Sequence, residues 1–543
     1  MITNLARSKA FWLILLSYFL LTLPGIVRTP FATRGETREA LAAANMLKTG
    51  NYLLPEVYDR GVPSKPPLTH WLMATTSKVR RILLVDEISA RAPTFLISLL
   101  FLVAFYLILS NVASKQLALI TSLTLLIMPE WIRSSQVARV DGVFAPLLAL
   151  SLILYLIASK NWLLIISGGL LGLAVLAKGP VTIVIFTLTV AVWNLFEFRQ
   201  VWFKKSFSDL ARTIPYCLLV SLIWYVLAIS IDGFDFENKF FEENFGRFFA
   251  SKGGHNHSGF YLLATFFLGS LPLSITMPFA IWELGGQKIT STTINKFSAI
   301  VIIIINLFFL IPASKRGTYL LPTYPFFAIL LADWLEKSRL AIKVFSVTTK
   351  TFSVIFIIVA SISFLISYNA PAIELSRIAE NDWSNLIRFI LLNFERFDLL
   401  LALATLIMAS YVLLGEANLL KFLGFWIFIF SLGFAVLMPK YYQLVAHQPF
   451  AEVARGISID RARLKSYKHS FYGVSLILGK PFSSVDAIEP ENGDLIFLFE
   501  DQTANLKKQW GDFCEFPLIL RSDGWFEKPF KKAIVVKCLR KNE

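Results

Sequence analysis

Residues 34–71 read RGETREALAAANMLKTGNYLLPEVYDRGVPSKPPLTHW, and this stretch decides how the rest of the chain is read. It is the first long polar interruption after an apolar N-terminal run. Arg34, Glu36 and Arg38 lie close together at its start, and one lysine stands before two prolines, Lys65-Pro66-Pro67. Thr33 and Glu36 have the S/T-x-x-E spacing of a capping box. A helix is predicted over about Gly35 to Lys48, stopping at Gly50, where glycine supplies a left-handed cap. Its body of Ala40, Ala42, Ala43 and Ala44 suits close packing against other helices. On this reading Glu36 is a capping carboxylate or a site residue. Pro66 drives Lys65 into extended backbone and Pro67 stiffens the next step. Lys65 then either presents its ammonium to a ligand or is a solvated loop lysine.

Outward from this loop, the composition is that of a membrane protein. Of 543 residues, 56% are hydrophobic and 16% charged, against about 25% charged in soluble domains. The mean hydropathy is +0.62. Apolar runs near 10–28, 92–111, 116–129, 141–158, 161–177, 179–197, 211–231, 259–283, 297–312, 317–334, 350–368, 398–414 and 420–438 give about 13 transmembrane helices. Basic residues Arg7 and Lys9 precede the first run, which reads as an uncleaved first span. With that end inside, Lys115, Lys160, Arg199, Lys204, Lys205, Lys288, Lys296, Lys337, Arg339 and Lys343 fall inside too, as the positive-inside rule requires. The net charge of +15 is explained by this bias, and no nucleic-acid-binding signature accompanies it.

The expected fold is therefore mainly α: a transmembrane domain over 1–438 with a first outer loop at 29–70 and juxtamembrane helices in it. A small C-terminal α/β domain over 439–543 follows, on the outer side. In it a helix is predicted over Gln448–Lys465, and strands over Gly473–Leu478, Leu495–Phe499, Leu518–Leu520 and Ile534–Val536. Cys514 and Cys538 either pair or stay as thiols; no C-x-x-C motif suggests zinc or redox chemistry.

The outer set also holds charges at the ends of spans: Asp141 in RVDG, Lys178 in LAKGP, Lys315 and Arg316 in PASKRG, and Glu242, Glu243 and Arg247 in FFEENFGRFF. Such charges are costly unless paired or wet, and often mark a site. Snorkelling to the interface explains any one alone. Their gathering on one side favours a shared anionic site.

These residues bear a family likeness. E-x-R at Glu36–Arg38, M-L-x-T-G-N-x-x-x-P from Met46, and K-P-P-L-x-x-W from Lys65 resemble the polyprenyl-phosphate-dependent membrane glycosyltransferases. The best-described bacterial branch of these is the aminoarabinose transferase ArnT, and they are related to the protein O-mannosyltransferases. R-x-D at Arg139–Asp141, A-K-G-P at Ala177–Pro180, F-F-x-E-N-x-x-R-F at Phe240–Phe248 and S-K-x-x-x-Y-L-L-P-x-Y-P at Ser314–Pro325 extend the resemblance over about residues 10–335. It implies a glycosyltransferase that moves a sugar from an undecaprenyl or other polyprenyl phosphate to an envelope acceptor (lipid A, another glycan or a protein) on the periplasmic face of a bacterial inner membrane. By motif match Arg38, Lys65 and Arg247, with Lys178 and Lys315, would hold the carrier phosphate. Glu36 and Asp141 would be the catalytic carboxylates, and Glu242 and Glu243 would lie in a donor or acceptor loop.

The chain departs from the pattern at three places. Gly35 stands where the family carries the aspartate most often given the role of base. Either Glu36 or Asp141 takes that role, or the acceptor is already anionic and needs none. Ser64 and Asn244 replace a glutamate and a histidine associated with a bound metal, so no metal is expected there and no cofactor is required. His255 and His257 lie in GGHNHSG, which reads as a mobile loop over the site. The competing class is a transporter or flippase of lipid-linked sugars. It needs no reaction-centre carboxylate and should carry charge through both leaflets.

The odd span count puts the C-terminus opposite Arg7 and Lys9. A reporter active only outside the cytoplasm, fused after Glu543, is expected to give signal. Signal from a cytoplasm-only reporter at that position would reverse every assignment of side made above.

Overall fold

The structure is a computed structural model. It describes all residues except 1–7, 55–56, 58–64, 83, 243–245, 247–256, 287–291, 313, 370–395, 417, 445, 456–462, 487, 523–531 and 542–543. The membrane part begins with α1 (Lys9–Arg28), α2 (Arg34–Thr49), α3 (Leu68–Val79), α4 (Glu87–Val112), α5 (Lys115–Leu126), α6 (Pro129–Gln136), α7 (Val140–Leu156), α8 (Asn161–Lys178) and α9 (Val181–Glu197). It continues with α10 (Trp202–Phe241), α11 (Gly259–Gly269), α12 (Met277–Gly286), α13 (Thr293–Leu310), α14 (Tyr324–Lys337), α15 (Arg339–Asn369), α16 (Arg396–Leu414), α17 (Leu419–Leu432) and α18 (Met438–Leu444).

Every apolar run of the sequence becomes helical, but not every run becomes a straight span. Among the described residues, seven helices are long and apolar enough to cross a bilayer, or nine if each of two bent pairs is one span. The 116–129 run ends early because Pro129 starts a new helix, and α5 and α6 meet at 71°. The 259–283 run breaks between Gly269 and Leu273 with a bend of 108°. The helices α7 and α9 are apolar but shorter than 18 residues. In α1 the residues Trp12, Leu16, Leu20, Leu23 and Val27 are exposed, while Ile14, Tyr18 and Leu21 are buried. That spacing of three and four turns one stripe to lipid and the other to the bundle. The Tyr18 hydroxyl donates to the Phe95 carbonyl at 2.7 Å, joining α1 to α4 inside the bundle.

The first outer loop forms as read. Thr33 caps α2, its hydroxyl accepting from the Glu36 N–H at 3.4 Å, and Gly50 ends the helix at φ 74°. Two indoles pin the chain that follows: Trp71 donates to the Tyr52 carbonyl at 2.6 Å and Trp224 to the Leu53 carbonyl at 2.8 Å.

The last helical run passes the expected domain boundary at 438. Gly433–Leu437 is a π turn between α17 and α18, just ahead of Pro439. Proline lacks the N–H that the helix would use, and the wider turn absorbs the misfit. Beyond it stand α19 (Gln448–Arg455), β1 (Leu464–Ser466), α20 (Tyr472–Leu478), β2 (Ser483–Ser484), β3 (Leu495–Phe499), α21 (Thr503–Trp510), β4 (Cys514–Glu515), β5 (Leu518–Arg521), β6 (Ala533–Lys537) and β7 (Leu539–Arg540). The main sheet has the order β2-β1-β3-β6-β5. The strand β1 is parallel to β2 and β3, and β6 is antiparallel to β3 and β5. Three of the expected strands are present. The fourth, Gly473–Leu478, is helical instead, closed by Gly479 at φ 67°. Its buried Tyr472 and Leu476 pack on Ala40, Leu41 and Ala43 of α2, a contact that a strand could not make on one helical face. The expected helix over Gln448–Lys465 is confined to Gln448–Arg455, and Leu464 to Ser466 pair as β1.

The domain thus rests on the first outer loop, which places the two on one side. The His447 N–H donates to the Phe31 carbonyl at 3.1 Å and Arg34 to the Ser470 hydroxyl at 3.2 Å. Cys514 and Cys538 form a disulfide with Cα atoms 5.3 Å apart, and Cys217 is free and buried. Titration of denatured, unreduced protein should find one thiol per chain and, after reduction, three. Three thiols before reduction would remove this staple from the domain.

Candidate active site

The first turn of α2 opens into a cavity of about 920 Å³. It is lined by Thr33 to Arg38, by Pro129 to Gly142 at the α6–α7 junction, by Tyr261 to Gly269, and by Arg316 to Thr318. Phe434, Met438 and Tyr442 line it from the last helical run, at a spacing of four that one helical face provides. Tyr472 completes the wall from the C-terminal domain.

Charge here is sorted into pairs. Glu36, 2% exposed, takes Arg91 in a two-pronged pair, Nε at 2.9 Å and Nη2 at 3.2 Å. The same carboxylate accepts the Ala138 N–H at 2.9 Å and the Thr33 hydroxyl at 3.4 Å. Burial raises the Glu36 carboxyl, and the charge and hydrogen bonds of Arg91 outweigh it, holding the group below its usual range. A carboxylate offers about four lone-pair sites, and four donors fill them. Glu36 thus lines the cavity with its carboxylate already bonded by four donors. It is a buried tie, stronger than the capping carboxylate its spacing suggested.

Asp141 begins α7, is 4% exposed and lines the cavity. It pairs with Lys178 at 2.7 Å. Lys178 in turn lies over the rings of Phe144 at 4.6 Å and Tyr319 at 4.7 Å, the favourable face for a cation. Asp141 and Lys178, distant in sequence, are thus one unit.

Arg38 and Lys65 meet at Glu39, a residue the sequence reading passed over. Glu39 pairs with Arg38, lies 3.8 Å from Lys65 Nζ, and contacts His70 Nε2 at 2.8 Å. Burial raises its carboxyl, and Arg38, Lys65 and His70 bring it well below the usual range. Lys65 is 19% exposed. Burial lowers its amine, Glu39 raises it, Arg38 lowers it again, and the net value is about 7 against an ordinary 10.5. The charges of Asp141 and Arg139 also act on Lys65, so this cluster and the Asp141–Lys178 pair share one neighbourhood.

Other expected residues stand apart. Lys315 is buried and donates to the Pro312 carbonyl at 2.6 Å, holding its own turn together. Glu242 is exposed at the end of α10. Glu243, Arg247, Ser64, Asn244 and His255 lie outside the described residues, and His257 stacks on Tyr261 with centroids 4.1 Å apart. Among the described residues no group of three or more His, Cys, Asp or Glu side chains is placed to hold a metal. Arg91 and Glu39 were findable: one is an arginine at the very start of an apolar run, the other lies about one helical turn from Glu36.

Several known proteins resemble this chain. Residues 64–224 match the family described as dolichyl-phosphate-mannose-protein mannosyltransferase. A protein of Aquifex aeolicus is 28% identical over 342 residues, which is 61% of this chain and 65% of that protein. The undecaprenyl phosphate-alpha-4-amino-4-deoxy-L-arabinose arabinosyl transferase of Shewanella sediminis is 24% identical over 310 residues, 55% of this chain and 54% of that one. The matched regions thus span about half to two thirds of these relatives. The crystal structure of ArnT from Cupriavidus metallidurans bound to undecaprenyl phosphate superposes with a TM-score of 0.74 at 16% identity, covering 97% of this chain and 98% of that one. Fold and cavity together define a polytopic membrane protein built on the ArnT fold. Over these stretches the chain is similar to proteins described as dolichyl-phosphate-mannose-protein and undecaprenyl-phosphate-aminoarabinose transferases, and over nearly its whole length it has the fold of ArnT.

Glu36→Gln leaves Arg91 buried without its counter-charge, and breaking a buried pair in this way costs about 3–5 kcal/mol. The variant should unfold at a clearly lower temperature in detergent and yield less folded protein. An unchanged midpoint would show that the pair does not hold the loop.

Proposed function

We propose that this protein is an integral-membrane glycosyltransferase that moves a sugar from an undecaprenyl or other polyprenyl phosphate to an acceptor at the outer face of a bacterial inner membrane. The acceptor is an envelope lipid such as lipid A, another glycan or a protein. The observation that carries the reading is a cavity lined by five arginines, with the Asp141–Lys178 pair at its wall, on the side of the first outer loop and the disulfide-bonded domain. A disulfide suits an oxidising compartment, which supports the periplasmic orientation.

In the transfer, the bond between the sugar's anomeric carbon and the phosphate oxygen breaks, and the electron pair leaves with the phosphate. An acceptor oxygen forms the new bond to the same carbon and gives up its proton if it carries one. Lys65 and Arg38 are the cations for the leaving oxygens, held in place by Glu39. Fixed cations in a water-poor site stabilise such growing charge without reorganising. Asp141, kept ionised by its pairing with Lys178, is the carboxylate for a protic acceptor. The flippase alternative gains nothing from this cavity, whose lining comes from one end of the spans.

The test is transfer by purified protein in detergent, where no gradient exists; absence of transfer with every candidate acceptor, alongside movement of lipid-linked sugar in vesicles, would favour the flippase. Lys65→Ala should lose about 10²–10³-fold in single-turnover rate and weaken undecaprenyl-phosphate binding in parallel. Lys65→Arg should retain part, since charge remains but the guanidinium is shaped differently. A pH profile adds a second reading. The Lys65 amine of the free protein titrates at about 7, and a bound phosphate raises that value. Carrier affinity should therefore fall as pH rises above about 7, by up to tenfold per unit, and stay level in Lys65→Arg, which keeps its proton. Wild-type binding in Lys65→Ala would reduce this loop to a structural turn.

A further inference from the structure

The cavity holds more cation than its acids can use. Three acids line it, Glu36, Glu130 and Asp141. Each already has a partner: Arg91, Arg133 at 2.8 Å, and Lys178. Of the five lining arginines, Arg133 is bound to Glu130, Arg38 to Glu39, and Arg34 to the Ser470 hydroxyl. Arg139 differs. It is partly exposed, and its guanidinium makes no hydrogen bond or ion pair among the described residues. Asp141 and Glu39 attract it from a distance, and Arg38 and Arg316 repel it.

What Arg139 does have is a place prepared for it. An ideal Cβ built on Gly35 would lie 1.5 Å from Arg139 Nη1 and 2.7 Å from its Cζ. Gly35 is not among the residues at positive φ, so the backbone of this helical turn does not call for glycine. Glycine inside a helix costs up to about 1 kcal/mol relative to alanine. What it provides here is volume, and the guanidinium occupies that volume at the cavity wall.

We propose that Gly35 and Arg139 form one recognition unit: the missing side chain admits Arg139, and Arg139 takes the phosphoryl oxygens of a phosphate monoester bound in the cavity. The planar fork of a guanidinium donates two parallel N–H groups to such oxygens, which gives geometry as well as charge. The phosphate belongs either to the polyprenyl carrier or to an acceptor that is itself a phosphate monoester. In the second case the nucleophile is an oxyanion, its oxygen attacks the anomeric carbon with no proton to lose, and Asp141 has no proton to remove. The inference rests on the cavity being the transfer site but is tested by binding alone.

The experiment uses the full chain in one detergent, as wild type, Gly35→Ala, Arg139→Ala, Arg139→Lys and the Gly35→Ala/Arg139→Ala pair. Two probes are titrated: undecaprenyl phosphate, and glucose 1-phosphate added to protein already saturated with undecaprenyl phosphate. Loss of a charged hydrogen-bonding partner should weaken one probe by roughly tenfold to a hundredfold in Arg139→Ala, with part recovered in Arg139→Lys. Loss confined to undecaprenyl phosphate assigns Arg139 to the carrier, and loss confined to glucose 1-phosphate assigns it to the acceptor. Gly35→Ala should mimic Arg139→Ala because the new methyl displaces the guanidinium, a flexible group that can move without unfolding the helix. The double variant, in which the clash is gone, should be no worse than Arg139→Ala. Wild-type binding of both probes by Arg139→Ala, or a double variant whose loss is the product of the two single losses, would overturn the proposal. Sugar transfer is not read in any arm, so failure of the enzymatic reading leaves this result standing and the reverse is also true.

Discussion

The fold on the first-loop side depends on one buried guanidinium. Arg91, 1% exposed, sits in the first turns of a largely apolar helix, where an unpaired buried charge would be untenable. It spends its donors on two tasks at once. Nε and Nη2 hold Glu36 at the start of α2, while Nη1 and Nη2 reach the carbonyls of Gly25, Ile26, Thr29 and Pro30. Those carbonyls lie at and just past the end of α1, where helical partners run out. Because Glu36 also accepts the Ala138 N–H, the same pair ties α1, α2 and α4 to the turn before α7. The arrangement satisfies donors and acceptors on both sides, the condition under which a buried pair is tolerated.

That tie sets the chemistry of the cavity indirectly. Glu36 lines the cavity but is committed to Arg91, and Glu130 is committed to Arg133 in the same way. Asp141 keeps its place at the wall but shares its charge with Lys178, itself seated on aromatic faces. Each acid is therefore matched by a cation of its own, and the remaining lining arginines leave a net positive field for whatever enters. In a wall partly shut off from water such a field acts with less screening than it would at a surface. The glycine at position 35 carries the same logic one step further, since it yields space to a cation where a side chain would otherwise stand.

Much of this was legible in the sequence. The hydropathy runs all fall on helices, and Thr33, Glu36 and Gly50 marked both ends of α2, because caps are local signals. The clustering of Arg38, Lys65, Asp141 and Lys178 was read from motif order and the alternation of sides. What escaped was decided by contacts between distant segments. Hydropathy cannot register the 71° and 108° bends, which arise at Pro129 and between Gly269 and Leu273. The stretch Tyr472–Leu478 has the β-branched, apolar look of a strand, and packing on α2 made it a helix. Glu36 looked reactive because its four donors come from three segments no spacing rule connects: residue 33, residue 91 and residue 138. Glu39, by contrast, was on the page beside Glu36 and was hidden only by attention to the neighbouring motif.

Tyr472 gives the cavity wall a contributor from the last hundred residues of the chain. The cavity's other walls are made by residues 33–442, and synthesis delivers those first. A nascent chain that has inserted all its helices still has an unfinished cavity. Its final surface forms only after the closing segment has seated α20 against α2. The cavity is thus completed by the segment that leaves the ribosome after the helices that form its other walls.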